Sequence, residues 1–220
     1  MVLAINLSLY TDAIRDTLYM TITSSFLSYV IGIPLGILLY MTNKDGMSPN
    51  SIIYNALSTV VNIFRSIPFI ILLILVLPFT HFLVHTTIGA KAVIPPLVIS
   101  ASPYIARMVE SSLKEVDLGV IEAAKAMGAT KMQIVMKVLL SESRPSLLVG
   151  AAISVTTILG YSAMAGAVGG GGLGDVAIKY GYIRYNQQVM LITVVLLIII
   201  VQVLQGLFMS IANKTDKRLK

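Results

Sequence analysis

The residues best equipped for bond-making chemistry in this sequence are few, and each stands in an unsuitable setting. The 220 residues include no Cys, which excludes thiolate catalysis, Cys-ligated metal and redox sensing. Gly160-Tyr161-Ser162 begins like the G-x-S-x-G turn that presents a hydrolase serine. Met164 replaces the closing glycine, however, and no His follows Ser162. Gly169, Gly171 and Gly174 spell G-x-G-x-x-G, but no strand precedes them to aim a pyrophosphate at a helix. A flexible outer loop is the expected use of that glycine run. No G-x-x-x-x-G-K-[ST] occurs, so the chain is not expected to hydrolyse nucleotide. An intramembrane serine hydrolase acting through Ser162 is therefore disfavoured. No catalytic residue, no metal site and no cofactor of its own is expected.

The elements that must position any functional residue are written in the charge map. Hydrophobic types make up 56% of the sequence and charged types 12%, too few to clothe a soluble domain of this size. Asp, Glu, Lys and Arg are missing from 17–43, 66–90, 92–106, 145–174 and 185–213. A spanning helix needs about 20 mostly apolar residues, so five spans are predicted near 17–41, 61–83, 88–108, 145–168 and 189–212. The third carries Pro95, Pro96 and Pro103, which argue against a straight helix. The reading is an all-α polytopic membrane protein with one transmembrane domain over 17–212. Residues 1–16 are expected as an outer segment and 213–220 as a cytoplasmic tail.

Lys and Arg counts in short loops set orientation. Eleven basic residues fall on one side: Lys44, six from Arg107 to Arg144, and Lys214, Lys217, Arg218 and Lys220. Arg15, Lys91, Lys179 and Arg184 make four on the other. The N-terminus is thus expected outside and the C-terminus inside. The +6 net charge becomes a topology signal, and nucleic acid is not expected as a partner. No Lys or Arg precedes Arg15, so a cleavable leader is not expected either.

No carboxylate falls within the predicted spans, and His81 and His85 read as interfacial polar residues at the outer end of the second. Ion-driven carriers place such groups inside the bilayer. A solute path here is then either passive or driven from another subunit. The fourth span is rich in Gly, Ala, Ser and Thr, and Ser154, Thr157, Tyr161, Ser162 and Met164 are its candidates for lining or gating a path. Small residues also serve helix packing, and hydroxyls also bond their own helix, so both uses stay open. Gly32 and Gly36 in the first span read as packing residues. Gln202 and Gln205 in the fifth are expected to hydrogen-bond a neighbouring helix.

Between the third and fourth spans, 117–141 predicts a helix–turn–helix elbow. Asp117 is placed to cap a short helix running to about Met127, and Gly128 to stop it. Thr130 and Gln133 form a T-x-x-Q capping box that opens a second helix. Met132, Val135, Met136 and Leu139 follow the three/four spacing of one amphipathic face. The elbow reads either as an interfacial helix or as a knob that docks into a cytoplasmic partner.

Glu122-Ala123-Ala124, three residues and then Gly128 resemble the EAA signature of permease subunits of ABC importers. The signature's Ile-x-Leu-Pro-like end is here Val138-Leu139-Leu140-Ser141, with Val for Ile and Ser for Pro. Residues 64–80, 101–116 and 160–186 look like the methionine-uptake permeases in particular. The resemblance implies the type I importer permease fold and residence in the bacterial plasma (inner) membrane as a multi-pass protein. It implies a second copy of the chain, two ATPase subunits that bind ATP-Mg, and an extracytoplasmic methionine-binding lipoprotein. Glu122, Ala123, Ala124, Gly128 and Ala129 are the coupling positions it implies. The alternative from another class is a passive channel or uniporter formed by an oligomer in membrane lipid.

Overall fold

The computed structural model describes residues 7–215; the first six residues and the tail charges Lys217, Arg218 and Lys220 lie outside the described residues. All regular structure among the described residues is helical. The elements are α1 (Leu7–Thr42), α2 (Ser51–Ser66), α3 (Phe69–Leu75), α4 (Leu77–Val84), α5 (Ala90–Lys114), α6 (Leu118–Ala126), α7 (Lys131–Gln133), α8 (Leu140–Glu142), α9 (Arg144–Ala165), α10 (Gly172–Val176) and α11 (Gln187–Thr215). Wide π turns fill Ile134–Leu139 and Ala177–Ile183, and a 3₁₀ turn fills Gly166–Val168.

Four helical stretches, Leu7–Thr42, Ala90–Lys114, Arg144–Val168 and Gln187–Thr215, are long and apolar enough to cross a membrane. A fifth exists if the bent pair α2 and α3 counts as one span. The difference from the predicted 61–83 span has a local cause. Pro68 lacks an N–H and pushes its predecessor towards extended backbone, so the chain breaks after Ser66 and restarts at Phe69. A second break at Val76 precedes α4, whose first turn holds Pro78 without loss of a helical bond.

The third span is continuous. α5 runs unbroken through Pro95, Pro96 and Pro103, and it is the most enclosed of the four long helices, with 72% of its apolar window buried. Enclosure by neighbouring helices lets the backbone groups freed by proline find other partners. α1 also starts earlier than predicted, at Leu7, so Asp12, Arg15 and Asp16 are helical. At 1.5 Å per residue α1 is about 54 Å long, well beyond the roughly 30 Å hydrocarbon layer, and its charged start need not enter lipid.

The chain divides into two compact units. One comprises the residues through Leu27, Ile67–Ala101 and Ser154–Gln205. Its core gathers Ala13, Leu173, Val176 and Val189, with Ile14, Tyr180 and Leu196 packed around them. The glycine run belongs to this core and is no flexible loop. Gly170, Gly172, Leu173 and Gly174 are buried, and the Leu173 N–H donates 2.9 Å to Thr17 Oγ1. The other unit comprises Ser28–Ser66, Ser102–Ile153 and the residues from Gly206. Leu39, Val61 and Ala106 form its core with Leu35, Tyr54 and Leu57. Gly32 and Gly36 serve packing as expected. A methyl at Gly32 would lie 2.6 Å from Ile105 Cγ2, and one at Gly36 2.6 Å from the Ala106 carbonyl.

Candidate functional site: the elbow and its support

The elbow folds from its own caps. The Asp117 side chain accepts 2.7 Å from the Gly119 N–H at the start of α6. At the other end the Gly128 N–H reaches the Lys125 carbonyl at 2.9 Å and the Ala129 N–H reaches that of Ala124 at 3.1 Å. This pair of bonds is a Schellman closure, and it needs a left-handed residue at Gly128, whose φ is +78°. Thr130 Oγ1 then accepts from the Gln133 N–H at 3.3 Å, while Gln133 Oε1 accepts from the Thr130 N–H at 2.8 Å. The capping box read from sequence is therefore complete.

The five coupling candidates do not all face the same way. Ala124 is buried beside Ile121, and Ala129 is half-buried. Glu122, Ala123 and Gly128 are exposed, and nothing lies within 4 Å of where a Gly128 side chain would start. Around them Leu118, Met127 and Met132 stand 69%, 82% and 65% exposed, a concentration of large apolar side chains on a segment that also carries Glu122, Lys125 and Lys131.

The amphipathic face predicted for the second helix is corrected by the winding. Val135 and Leu139 are buried, but Met132 and Met136 are exposed. A π turn places residues five apart on one face, so Ile134 and Leu139 share the buried side. At 3.6 residues per turn all four would have shared one face; here Val135 and Leu139 turn inward while Met132 and Met136 turn outward.

The path candidates on α9 separate in the same manner. Ser154 and Ser162 are each 1% exposed, and Ser162 Oγ donates 2.8 Å to the Leu159 carbonyl, the back-bonding use of a hydroxyl. Thr157 and Tyr161 are half-buried, and the Tyr161 ring stacks on Phe69 at 4.7 Å between centroids. Met164 is exposed, and so is Gly160, with open space over its Cα. Gln202 and Gln205 are also exposed.

Sequence reasoning missed the polar cluster that leads into the elbow. α5 continues past the predicted end at Met108, and Glu110 is a buried carboxylate within it, only 3% exposed. Its oxygens are fully engaged. Oε2 pairs with Arg107 at 2.7 Å, and Oε1 pairs with Lys114 at 2.7 Å and accepts from Tyr54 at 3.2 Å. The Arg107 guanidinium also donates to Ser58, at both its carbonyl and its hydroxyl, and to Asn62 Oδ1 at 3.1 Å. A carboxylate satisfied in this way is a structural anchor for α2 and α5. The signal available in the sequence was the i, i+3, i+7 spacing of Arg107, Glu110 and Lys114 on one helix face.

Residues 32–220 match the family described as "Binding-protein-dependent transport system inner membrane component". The probable D-methionine transport system permease protein MetI of Vibrio cholerae is 46% identical over 98% of this chain and 96% of its own. The D-methionine transport system permease protein MetI of Yersinia pestis is 53% identical over 72% of this chain and 73% of its own. Among solved structures, the MetNI methionine ABC transporter in an inward-facing conformation superposes with a TM-score of 0.94 at 49% identity, covering 96% of this chain and 98% of that one. Helical architecture, the capped elbow and full-length similarity converge: this chain belongs to the binding-protein-dependent transport system inner membrane component family, the type I ABC importer permeases.

Proposed function

We propose that this chain is the membrane-spanning permease subunit of an ATP-driven importer that carries methionine across the bacterial inner membrane. Two copies form the path, and two separate ATPase subunits bind ATP-Mg and receive the elbow. An extracytoplasmic methionine-binding lipoprotein delivers the solute on the side of the N-terminus. The observation that carries this reading is the elbow itself: a preformed, self-capped knob with Glu122, Ala123 and Gly128 exposed amid unpartnered Leu118, Met127 and Met132. A patch of this kind on a charged segment has the chemistry of a docking surface. The names and folds of the relatives support both the substrate class and the assembly. A passive channel is not favoured, because it gives the elbow no task and has no counterpart among those relatives.

In this reading Glu122 meets a basic group on the ATPase, Ala123 permits close approach, and the Gly128 turn sets the angle between α6 and α7. Closure of the ATPase pair moves the spans as rigid bodies between inward- and outward-facing states. On α9 the exposed Met164 and the half-buried Thr157 and Tyr161 are the path candidates. Ser154 and Ser162 support the helix from its packed side.

Reconstitution with the ATPase and the binding protein is expected to give ATP-dependent methionine uptake. Uptake indifferent to ATP would remove the coupling claim. Met164→Cys in this Cys-free chain tests the path directly. Water-soluble thiol reagents are expected to label it faster in one nucleotide state than in the other, and equal labelling removes Met164 from the gate.

A further inference from the structure

We infer that Tyr54, Ser58 and Asn62 of α2 and Arg107, Glu110 and Lys114 of α5 form a clamp that makes these two helices travel as one body with the elbow. Arg107 and Glu110 are then positioning residues for transport. The inference rests on the proposed function for its consequence, but its geometry stands apart from that reading.

The three α2 residues are spaced four apart and occupy one helical face, which meets the Arg107–Glu110–Lys114 face of α5. Arg107 is the two-armed member. One arm holds the Glu110 carboxylate and the other spans to Ser58 and Asn62, a division of labour that a planar guanidinium permits and an ammonium does not. Beside this polar seam Leu57 and Val61 pack with Leu39 and Ala106, so apolar and charged contacts hold the same pair of helices.

The elbow is tied to the clamp at both ends. Asp117, the cap of α6, lies three residues beyond Lys114. At the start of α7, Lys131 Nζ donates 2.7 Å to Ser48 Oγ, just ahead of the first residue of α2. A push on the elbow therefore reaches α5 through its C-terminus and α2 through its N-terminus. Without the seam, α2 could slide along α5 and dissipate the displacement. A buried carboxylate with two cations contributes little net stability over apolar packing, so its use here is to fix one register between helices.

The test uses the full transporter with its ATPase and binding protein. Arg107→Lys keeps a charge for Glu110 but removes the arm to α2, and Glu110→Gln removes the shared anion. Uptake per ATP hydrolysed is expected to fall by about fivefold or more in both, with assembly and ATP hydrolysis retained. A purely structural ion pair would leave that ratio unchanged and lower only thermal stability. Ser58→Cys with Arg107→Cys, bridged by a short bifunctional thiol reagent, is expected to restore the ratio. Wild-type coupling in Arg107→Lys, or loss of uptake on bridging, overturns the clamp.

A second readout needs no transported solute. Spin labels at the exposed Asn55 and Ser111 are expected to keep their separation within about 2 Å between nucleotide states, whereas a shift of about one helical turn overturns the clamp. If the wild type imports no methionine, the proposed function fails while this distance still decides the clamp.

Discussion

Two glycine turns in this molecule share a positive φ and differ in their surroundings. Gly128 has φ +78° and Gly172 has φ +74°, both in the region that side chains rarely adopt. Around Gly128 there is open space, and the turn is closed by hydrogen bonds from its own neighbours. Around Gly172 a methyl group would lie 2.7 Å from Thr17 Oγ1 and 2.9 Å from Met20 Cε. The first turn is specified locally and left bare; the second is specified by what packs on it. A bare, locally specified turn is free to meet another molecule, whereas a packed one is committed to its own core.

The largest effect that can break this contrast is at the packed turn. Gly172→Val combines left-handed strain of about 1–3 kcal/mol with overpacking of about 1–3 kcal/mol against α1. The variant is expected to lose most of its monodisperse folded protein in detergent, or to unfold at a clearly lower temperature. A Gly172→Val protein with wild-type thermal stability would show that the corner yields and that the two turns are alike after all.

At the bare turn the same kind of change separates stability from coupling. Gly128→Ala meets no neighbour and costs about 1–2 kcal/mol of backbone strain, confined to the elbow. Gly128→Trp carries that same local cost and also fills the proposed docking surface. It is expected to insert and fold like the alanine variant but to lose ATP-dependent uptake or ATPase assembly. Wild-type uptake by Gly128→Trp would take the elbow out of the mechanism.

This contrast also explains what was legible in the sequence. Local rules found the elbow: Asp117, Gly128 and the Thr130–Gln133 box act on residues within four positions of themselves, and all perform the task their types suggest. The apolar stretches found the long helices but not their charged ends, because only the apolar part of a span is written in its composition. What the sequence hid depends on distant partners. The glycine run reads as flexible until Thr17 and Met20 are placed against it. Pro95, Pro96 and Pro103 argue against a straight helix, yet α5 carries them as one element, and Pro68 is the proline that interrupts a span. Glu110 reads as a loop charge until Tyr54, Arg107 and Lys114 surround it. On α9 the hydroxyl-rich composition is evident, but which side is packed emerges only with Ser154 and Ser162 buried and Met164 exposed.

The smallest effect sharpens the same distinction. Thr130→Val keeps the side-chain shape but removes the acceptor that caps the Gln133 N–H, a loss of about 1 kcal/mol. The exposed Thr130 packs on nothing in the core, so the loss has no route to global stability. Amide exchange over 130–134 is expected to speed up by about fivefold with the thermal midpoint unchanged, the signature of local opening. If the midpoint falls together with that protection, the elbow is cooperative with the helices that carry it. Its independence as a self-capped unit, and with it the contrast between the two glycine turns, would then have to be given up.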